Sequence, residues 1–554
     1  MKNRKKDIYS KLSLILVIIS TIFCCLICYV NILPTKYLVI VLIAILIFTA
    51  FNAFSLNLKR LKKKVKKVLS FFSLIAIFVM IIISFYLCRT FGVLSGNGDS
   101  KYKLENYSVI VLKNSKYNKL KNLKNTDIGY YKNSIGSDDS KKHLQGKLKS
   151  NFVSYDSPNE LEDDLLELKL DSVLVEDSIL QIMKEESPEF ASKIKVIYTF
   201  SIKIESESTL KDVNVTEKPF AIYISGIDTY GKINSVARSD VNIVAVVNPD
   251  TKQILLISVP RDYYVQLHGT TGYKDKLTHA GIYGIDMSVK TLEDLLDLEI
   301  NYYLKVNFTS VIDIVDALGG LEVYSEYTFI SYSNFSFKEG YNKVNGEQAL
   351  DFARTRKAFA DGDRQRGKNQ QALIEAIIRK ATNKSIIIKY NSLLSAIDGK
   401  YQTNMSTKKI TSLIKMQLDD MSPWNITSYS LSGVDARNYT YTYNQSLYVM
   451  EPDIESVSEA KQLIQSTLGN KKLDSSYGEY DGQSSTVTEV PVEKDPIIED
   501  NNAQDDIEVE DDIKIEDNNE FIEGNNQTEE QPEDSEEEVQ DDEVPEEIDD
   551  VLMP

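Results

Sequence analysis

Three apolar runs near the N-terminus limit what this chain can fold into. They extend over residues 12–30, 37–56 and 68–87, and each approaches the roughly 20 residues that an α-helix needs to cross a bilayer. A cleaved signal peptide is the alternative for the first run, but two further runs follow it and no small-residue cleavage site is evident. The sequence therefore predicts a protein with three membrane spans.

Positive charge predicts the orientation of these spans. Lysine and arginine crowd the residues before the first run and the loop at 59–67, and such segments stay in the cytoplasm. The short link between the first two runs is nearly uncharged. We therefore expect residues 1–11 to be cytoplasmic, residues 12–88 to form three transmembrane helices, and everything after Arg89 to lie outside the plasma membrane, without access to cytoplasmic ATP.

The formal net charge of −19 misrepresents the folded part of the chain. Residues 475–554 contain 31 aspartates and glutamates but only two lysines, so the remainder carries a net charge of about +10. The acidic segment is poor in aromatic residues and rich in Asn, Gln and Pro, which is typical of disordered chains. We expect a disordered acidic tail, with a cation-binding or spacer segment as the alternative.

Cysteine and histidine are scarce where chemistry is expected. The four cysteines lie in or beside the apolar runs, and none follows Cys88. A thiolate nucleophile, a cysteine zinc site and a stabilising disulfide are therefore excluded from the long outer region. The chain has only three histidines, so a histidine-rich metal site is excluded as well.

Two α/β regions are predicted outside the membrane. The first, residues 100–216, has expected strands at 107–112 and 194–204 and an apolar-periodic helix at 159–180. It shows no catalytic pattern, so we expect a small accessory domain.

The second region, residues 217–385, alternates short β-branched strands with segments of helical periodicity. The expected strands are 220–224, 241–247 and 254–259, and the expected helices are 287–298, 310–318 and 364–380. This alternation predicts a layered α-β-α domain around a central mixed sheet. Residues 386–470 are expected to form a smaller extension of this domain.

Arginine is concentrated in this second region. Only 11 of the 63 basic residues are arginines, and seven of the eight that do not flank an apolar run fall between Arg238 and Arg379. The guanidinium group is a planar, permanently charged fork that binds phosphate or carboxylate with two hydrogen bonds. Structural ion pairs are the alternative, which we favour for Arg238 and Arg379. We favour binding of a polyanion for the other five, which are Arg261, Arg354, Arg356, Arg364 and Arg366.

The spacing of these residues agrees with a shared anion site. Arg354 and Arg356 share a face only in an extended chain, so the helix before them should end near Arg354. Arg366 and Gln370 are four residues apart and share a face of the next helix, whose N-terminus is itself attractive to anions. Asp363 precedes that helix and could be its N-cap.

Asp228, Asp240 and Arg261 lie next to the ends of predicted strands. Ligands of α/β sheets tend to sit beyond the carboxyl ends of strands. Each aspartate alone is more often a turn residue than a ligand. Beside an arginine cluster, the pair suggests Mg²⁺ or Mn²⁺, since hard cations take carboxylate and phosphate oxygens.

Five short motifs in this order resemble the LytR-CpsA-Psr domain, and the three spans with an accessory domain resemble its capsule-associated members. The motifs are Ser225-Gly226-Ile227-Asp228 with Arg238-Ser239-Asp240, Ser258-Val259-Pro260-Arg261-Asp262, Asp275-Lys276-Leu277-Thr278-His279-Ala280, Asp351-Phe352-Ala353-Arg354-Thr355-Arg356, and Asp363-Arg364-Gln365-Arg366-Gly367-Lys368-Asn369-Gln370. The resemblance implies a Mg²⁺-dependent phosphotransferase of a Gram-positive type cell envelope. Such an enzyme moves capsule or teichoic acid from a polyprenyl-pyrophosphate carrier to peptidoglycan, and no nucleic-acid partner is expected.

The resemblance also implies roles for individual residues. Asp228 and Asp240 are expected to hold the metal, and Arg261 and Asp240 are the expected catalytic residues. The pyrophosphate is expected to contact one group of cationic and amide side chains, with Asp363 in support: Arg261, Lys276, Arg354, Arg356, Arg366 and Gln370.

Two other functions are compatible with the same residues. A non-catalytic regulator could bind a lipid-linked precursor through the arginines without transferring it, although it has less need of the aspartate pair. A polyprenyl-pyrophosphate hydrolase would use water in place of the sugar hydroxyl.

Overall fold

The computed structural model describes separate stretches of the chain. They are residues 2–31, 33–58, 60–96, 102–205, 211–228, 233, 238–360, 362–383, 400–474 and 485–489. Most of the predicted tail, residues 475–554, and the beginning of the predicted extension, residues 386–399, therefore lie outside the described residues.

Three long apolar helices form where the three membrane spans are predicted. They are α1 at Lys2–Val30, α2 at Thr35–Asn57 and α3 at Lys63–Gly96. Each contains a segment of 23 to 27 residues that is long and apolar enough to cross a membrane. Leu16 and Phe23 pack between the helices, whereas many other large apolar side chains are exposed, as expected where lipid is the solvent.

Residues 102–205 form a small α/β domain, as predicted. Its elements are β1 Tyr102–Leu112, β2 Asp127–Tyr131, α4 Ser137–Gln145, β3 Asn151–Tyr155, α5 Pro158–Leu166, β4 Ser172–Glu176, α6 Asp177–Glu186, α7 Pro188–Lys193 and β5 Ile194–Glu205. The strands pair in the order β3-β2-β4-β1-β5. We call this unit the accessory domain.

The prediction of a single helix over residues 159–180 is wrong. The segment divides into α5, β4 and the beginning of α6. Leu168 adopts a left-handed conformation with φ of 62°, which L-residues rarely continue as a helix. Every residue of Ser172–Glu176 is buried, and periodicity alone does not separate a short buried strand from a buried helix.

The second α/β domain begins at β6, and we call it the catalytic domain because it contains the motifs that predict catalysis. Its strands are β6 Phe220–Ile227, β7 Val241–Asn248, β8 Gln253–Ser258, β9 Tyr264–Val265, β10 Asp275–Lys276, β11 Tyr302–Asn307, β12 Leu321–Ser325, β13 Phe329–Ile330, β14 Phe335–Phe337, β15 Gly340–Val344, β16 Gln402–Thr403, β17 Asn425–Ser430, β18 Gly433–Tyr439, β19 Ser446–Pro452, β20 Ser485–Thr486 and β21 Thr488–Glu489. Its helices are α8 Leu277–Ala280, α9 Ile285–Leu296, α10 Phe308–Ala317, α11 Gly346–Arg354, α12 Gly362–Ala381, α13 Thr407–Asp420 and α14 Ile454–Leu468.

The central sheet is mixed, as predicted, with the strand order β16-β11-β6-β7-β8-β17. β11 runs parallel to β6, and β17 runs parallel to β8. β7 is antiparallel to both β6 and β8. The carboxyl ends of β11, β6, β8 and β17 therefore meet at one edge of the sheet.

Helices cover both faces of this sheet and confirm the predicted layered α-β-α architecture. On one face, Leu292 of α9 and Ile464 of α14 pack against the apolar strand residues. On the other, Ile374 of α12 and Leu413 of α13 do the same. The apolar, β-branched composition of β7 and β8 follows from this double burial.

A short piece of the predicted tail is structured. β20 pairs with β15, and β21 pairs with β14. Between them, Val487 is 6% exposed and packs in a core that contains Phe337 and Phe352. The expectation that disorder begins at residue 475 is therefore wrong for residues 485–489.

The accessory domain and the catalytic domain share a core. Ile282, Tyr443 and Leu447 of the catalytic domain pack among apolar side chains of the accessory domain. The hydroxyls of Tyr131 and Tyr283 lie 3.0 Å apart across the interface. This contact fixes the accessory domain on one side of the catalytic domain.

Candidate active site

Asp228 directly follows β6 and Asp240 directly precedes β7, at the end where this antiparallel pair is connected. Gly226 lies opposite Val241 in the antiparallel register, and the backbone N–H of Asp240 donates to the carbonyl of Gly226 at 2.9 Å. A Cβ at Gly226 would lie only 2.8 Å from the side chain of Val241. Glycine therefore permits the close approach that leaves both aspartates at the same edge of the sheet.

Arg261 reaches Asp240 from the neighbouring strand. β8 runs antiparallel to β7, so the chain that leaves β8 passes beside Asp240. Nη1 of Arg261 donates to Oδ1 of Asp240 at 2.9 Å, and its Nε donates to Oδ2 of Asp262 at 3.2 Å. One guanidinium group is thus held between two carboxylates.

The end of α11 supplies two further guanidinium groups. α11 ends at Arg354, and Thr355 is extended, which confirms the predicted change of conformation between Arg354 and Arg356. The guanidinium of Arg354 lies 4.2 Å from the centre of the Phe308 ring and 3.9 Å from Oδ1 of Asp228. Both arginines keep nearly half of their side-chain surface exposed, so their donors remain accessible to a ligand.

The first turns of α12 complete the group. Asp363 is the second residue of α12 rather than a residue before it, so the N-cap alternative is wrong. Its Oδ1 lies 3.3 Å from Nη2 of Arg366 and 3.9 Å from Nη1 of Arg356. Gln370, one turn later, donates weakly to the carbonyl of Ala353 at 3.4 Å.

α12 can approach the strand ends closely because it carries glycine at position 367. A Cβ at Gly367 would lie 3.2 Å from Oγ of Ser258, the last residue of β8. The first two turns of α12 are therefore held against the carboxyl end of β8.

The guanidinium groups of the site lie close together where they are partly shielded from water. Burial lowers the pKa of Arg366, and the neighbouring Arg261 and Arg356 lower it further against the opposing effect of Asp363. Burial also lowers the pKa of Arg261, but Asp262 and Asp240 outweigh it and leave that pKa raised. Crowded guanidinium groups of this kind are stabilised by an added anion.

The same region contains two neighbouring carboxylates. Desolvation and then the carboxylate of Asp240 raise the pKa of Asp228, although nearby arginines oppose the shift. Within the described residues, no group of three or more His, Cys, Asp or Glu side chains could hold a metal ion. Mg²⁺ is often held by one or two carboxylates together with substrate phosphates, so the Asp228–Asp240 pair fits such an ion.

Two sets of charged residues lie at the margin of the site. Lys276 is 7% exposed, and its ammonium lies 2.9 Å from Oε1 of Glu186 and 3.7 Å from Oδ1 of Asp262. Arg238 donates to Oε1 of Glu185 at 2.6 Å. Both glutamates belong to the accessory domain. No local pattern in the sequence indicates their role, because they lie far from the catalytic motifs in the chain.

The predicted ion-pair role of Arg238 and Arg379 is confirmed. Arg238 pairs with Glu185, and Arg379 pairs with Glu375 one turn earlier in α12 at 2.5 Å. By contrast, Arg364 donates to the carbonyl of Gly433 at 2.6 Å. The hairpin β18–β19 lies close to the site as well. Burial and the hydrogen bond to Asp435 are the main causes of the raised pKa of Tyr448, and the nearby charges of Asp262 and Asp363 add to it.

Comparison with known proteins identifies relatives of the part of the chain that contains this site. A family model described as the LytR_cpsA_psr family matches residues 189–463. The polyisoprenyl-teichoic acid–peptidoglycan teichoic acid transferase TagU of Bacillus licheniformis is 34% identical over 239 residues, which are 43% of this chain and 72% of the relative. Biofilm regulatory protein A of Streptococcus mutans is 32% identical over 319 residues, 52% of this chain and 77% of the relative. The crystal structure of B. subtilis TagV is 30% identical and covers 46% of this chain and 99% of its own, with a TM-score of 0.39.

Proposed function

The chain belongs to the LytR-CpsA-Psr family, and on that premise we propose that it transfers an anionic glycopolymer of the teichoic acid or capsule type from a polyprenyl-pyrophosphate carrier to peptidoglycan. The names of its TagU relatives describe such a transfer of teichoic acid. The observation that carries the proposal is the convergence of four guanidinium groups and two aspartates at one edge of the catalytic sheet.

We assign the pyrophosphate to the space bounded by the arginines and the start of α12. Arg261, Arg354, Arg356 and Arg366 supply forked donors, and Gln370 supplies an amide on the same helical face as Arg366. In phosphoryl transfer the protein acts mainly by positioning groups and by neutralising charge. Lys276 lies at the margin, where its ammonium is already paired with Glu186.

The proposed reaction is a displacement at the glycan-side phosphorus. A hydroxyl oxygen of peptidoglycan forms a bond to that phosphorus, and the bond from phosphorus to the bridging oxygen breaks. Polyprenyl phosphate leaves with the electron pair, and the hydroxyl proton passes to a base, for which Asp240 and Asp262 are the carboxylates at hand. Asp228 and Asp240 would hold Mg²⁺ or Mn²⁺, which when bound neutralises charge on the pyrophosphate oxygens.

We place this reaction outside the plasma membrane of a Gram-positive type envelope. The basic residues in the first turns of α1, and those at positions 59–67 between the second and third apolar runs, favour the cytoplasm. The link between α1 and α2 contacts the catalytic domain, since Lys415 of α13 donates to the side chain of Asn31 at 3.1 Å. Three spans bring that link and the chain after α3 to the same side, which supports the proposed orientation.

The test uses the full-length protein in detergent with a polyprenyl-pyrophosphate-linked glycan and a peptidoglycan acceptor, with and without Mg²⁺. Released polyprenyl phosphate and acceptor-bound glycan are followed in parallel, and Asp240→Ala is the inactive control. Metal-dependent attachment that is lost in the control supports the transferase. Release without attachment would replace it with a hydrolase, and tight binding of the lipid without either product would replace it with a regulator.

A further inference from the structure

Two glutamates of the accessory domain enter the electrostatic network of the active site. Glu185 and Glu186 are the last two residues of α6. Oε1 of Glu186 accepts a hydrogen bond from Nζ of Lys276 at 2.9 Å, and Glu185 binds Arg238. The contacts are only partly open to water, because the side chains of Lys276 and Arg238 are 9% and 11% exposed.

From Glu186, charges of alternating sign continue to the centre of the site. Nζ of Lys276 lies 3.7 Å from Oδ1 of Asp262, whose other oxygen accepts from Arg261 at 3.2 Å. Arg261 then binds Asp240 at 2.9 Å. Glu186 is thus linked through two cations and one carboxylate to the aspartate that we assign to the metal.

The position of the two glutamates in α6 is unfavourable for the helix itself. A negative charge in the last turn of a helix faces the negative end of the macrodipole and destabilises the helix there. The contacts with Lys276 and Arg238 offset this effect. The rest of the interface holds α6 in place, because the accessory domain and the catalytic domain share an apolar core around Tyr443 and Leu447.

We propose that Glu186, assisted by Glu185, is a positioning residue of the transferase that the accessory domain contributes to the catalytic site. Glu186 holds Lys276 against Asp262, and this contact keeps Arg261 facing Asp240. It also withholds the ammonium of Lys276 from the anionic donor substrate, so the accessory domain limits the positive charge that the pyrophosphate meets. This inference rests on the proposed function, since it assigns Glu186 a place in that same site.

A double-mutant cycle tests the proposal in the full-length protein. The variants are Glu186→Gln, Lys276→Met and the two combined, and geranylgeranyl pyrophosphate is the binding probe. Glu189→Gln is the matched control, because Glu189 is an exposed glutamate of the accessory domain that pairs with Lys193 of its own helix.

Glu186→Gln is expected to bind the probe about three- to tenfold more tightly, because the ammonium of Lys276 becomes available to phosphate. In the transfer assay both KM and kcat should fall, since binding improves while Arg261 is less well held. The change in affinity should vanish in the Lys276→Met background. A merely structural role would reduce the folded fraction and leave the affinity unchanged.

Unchanged affinity in Glu186→Gln, or the same gain in the Lys276→Met background or in the control, would overturn the proposal. Thermal unfolding of the wild type, the two single variants at positions 186 and 276 and the double variant separates this failure from a failure of the proposed function. If the wild type does not bind the probe, the proposed function fails. Non-additive unfolding temperatures for Glu186 and Lys276 would then still support the link between the domains, and additive ones would remove it.

Discussion

The accessory domain and the catalytic domain both bury apolar strands between helices, but they place their charged residues in opposite ways. In the accessory domain, Glu105 and Glu176 are 2% and 1% exposed on adjacent strands, and residues 100–216 contain no arginine. In the catalytic domain, arginines and aspartates lie at the strand ends. They are partly exposed, and their ion pairs range from the close pair of Arg261 with Asp240 to the long one of Arg354 with Asp228. Charge inside a sheet must be neutralised by protonation or by partners, whereas charge at an accessible edge can bind a ligand.

The largest effect is expected for Arg261→Lys, which tests whether the charged residues at the edge of the catalytic sheet bind a ligand. The substitution keeps the charge but removes the fork that joins Asp240 to Asp262. We expect turnover to fall by about two orders of magnitude, measured as glycan transfer per minute. Arg437→Lys is the matched control, because Arg437 is exposed and donates to the carbonyl of Ser446, and it forms no ion pair among the residues that the structure describes. Near-normal turnover in Arg261→Lys would show that this arginine makes no essential contact with the pyrophosphate.

A second test concerns the part of the acidic tail that packs on the catalytic domain. Truncation after Asp474 removes Val487 from its core, and we expect the free energy of unfolding to fall by about 2 kcal/mol. Truncation after Glu489 retains β20 and β21 and should leave the unfolding transition and basal transfer unchanged. Denaturant unfolding of both proteins provides the measurement. Equal stability of the two would mean that these strands contribute nothing to the fold.

The smallest expected effect concerns Glu176 and depends on pH. Burial, followed by the charges of Glu105 and Asp177, raises the pKa of Glu176 well above its ordinary value of 4.5. Folding therefore favours the protonated form, and this contribution to stability is complete below pH 4.5 and is lost as the pH rises through the folded-state pKa. Glu176→Gln cannot ionise, so its thermal midpoint should match the wild type at acidic pH and exceed it at pH 8. A wild-type midpoint that rises with pH relative to the variant would contradict this view of the accessory domain.

The sequence predicted those features that depend on local pattern. The membrane helices follow from long apolar runs, and β6, β7 and β8 follow from β-branched segments that have no polar face. The separation of Arg354 from Arg356 and the spacing of Arg366 and Gln370 also predicted correctly where one helix ends and how the next presents its side chains.

The features that the sequence could not predict depend on distant partners. β4 was mistaken for helix because a short buried strand is as apolar as a buried helix. β20 and β21 exist only because β15 and β14 offer free edges to an otherwise acidic segment. The contact of Glu186 with Lys276 joins residues that are 90 positions apart and lie in different domains. No sequence pattern in either segment indicates this contact.

The contact of α13 with the link between α1 and α2 has a consequence for how the proposed substrate is found. Lys36, at the start of α2, binds both the carboxylate and the carbonyl of Asp419 in α13. In the orientation proposed above, these contacts would hold the catalytic domain at a set height above the bilayer. A donor whose lipid tail lies in that same bilayer would approach by lateral diffusion, so its search is confined to two dimensions. The distance between the lipid surface and the reacting phosphorus would then be one condition for a productive encounter.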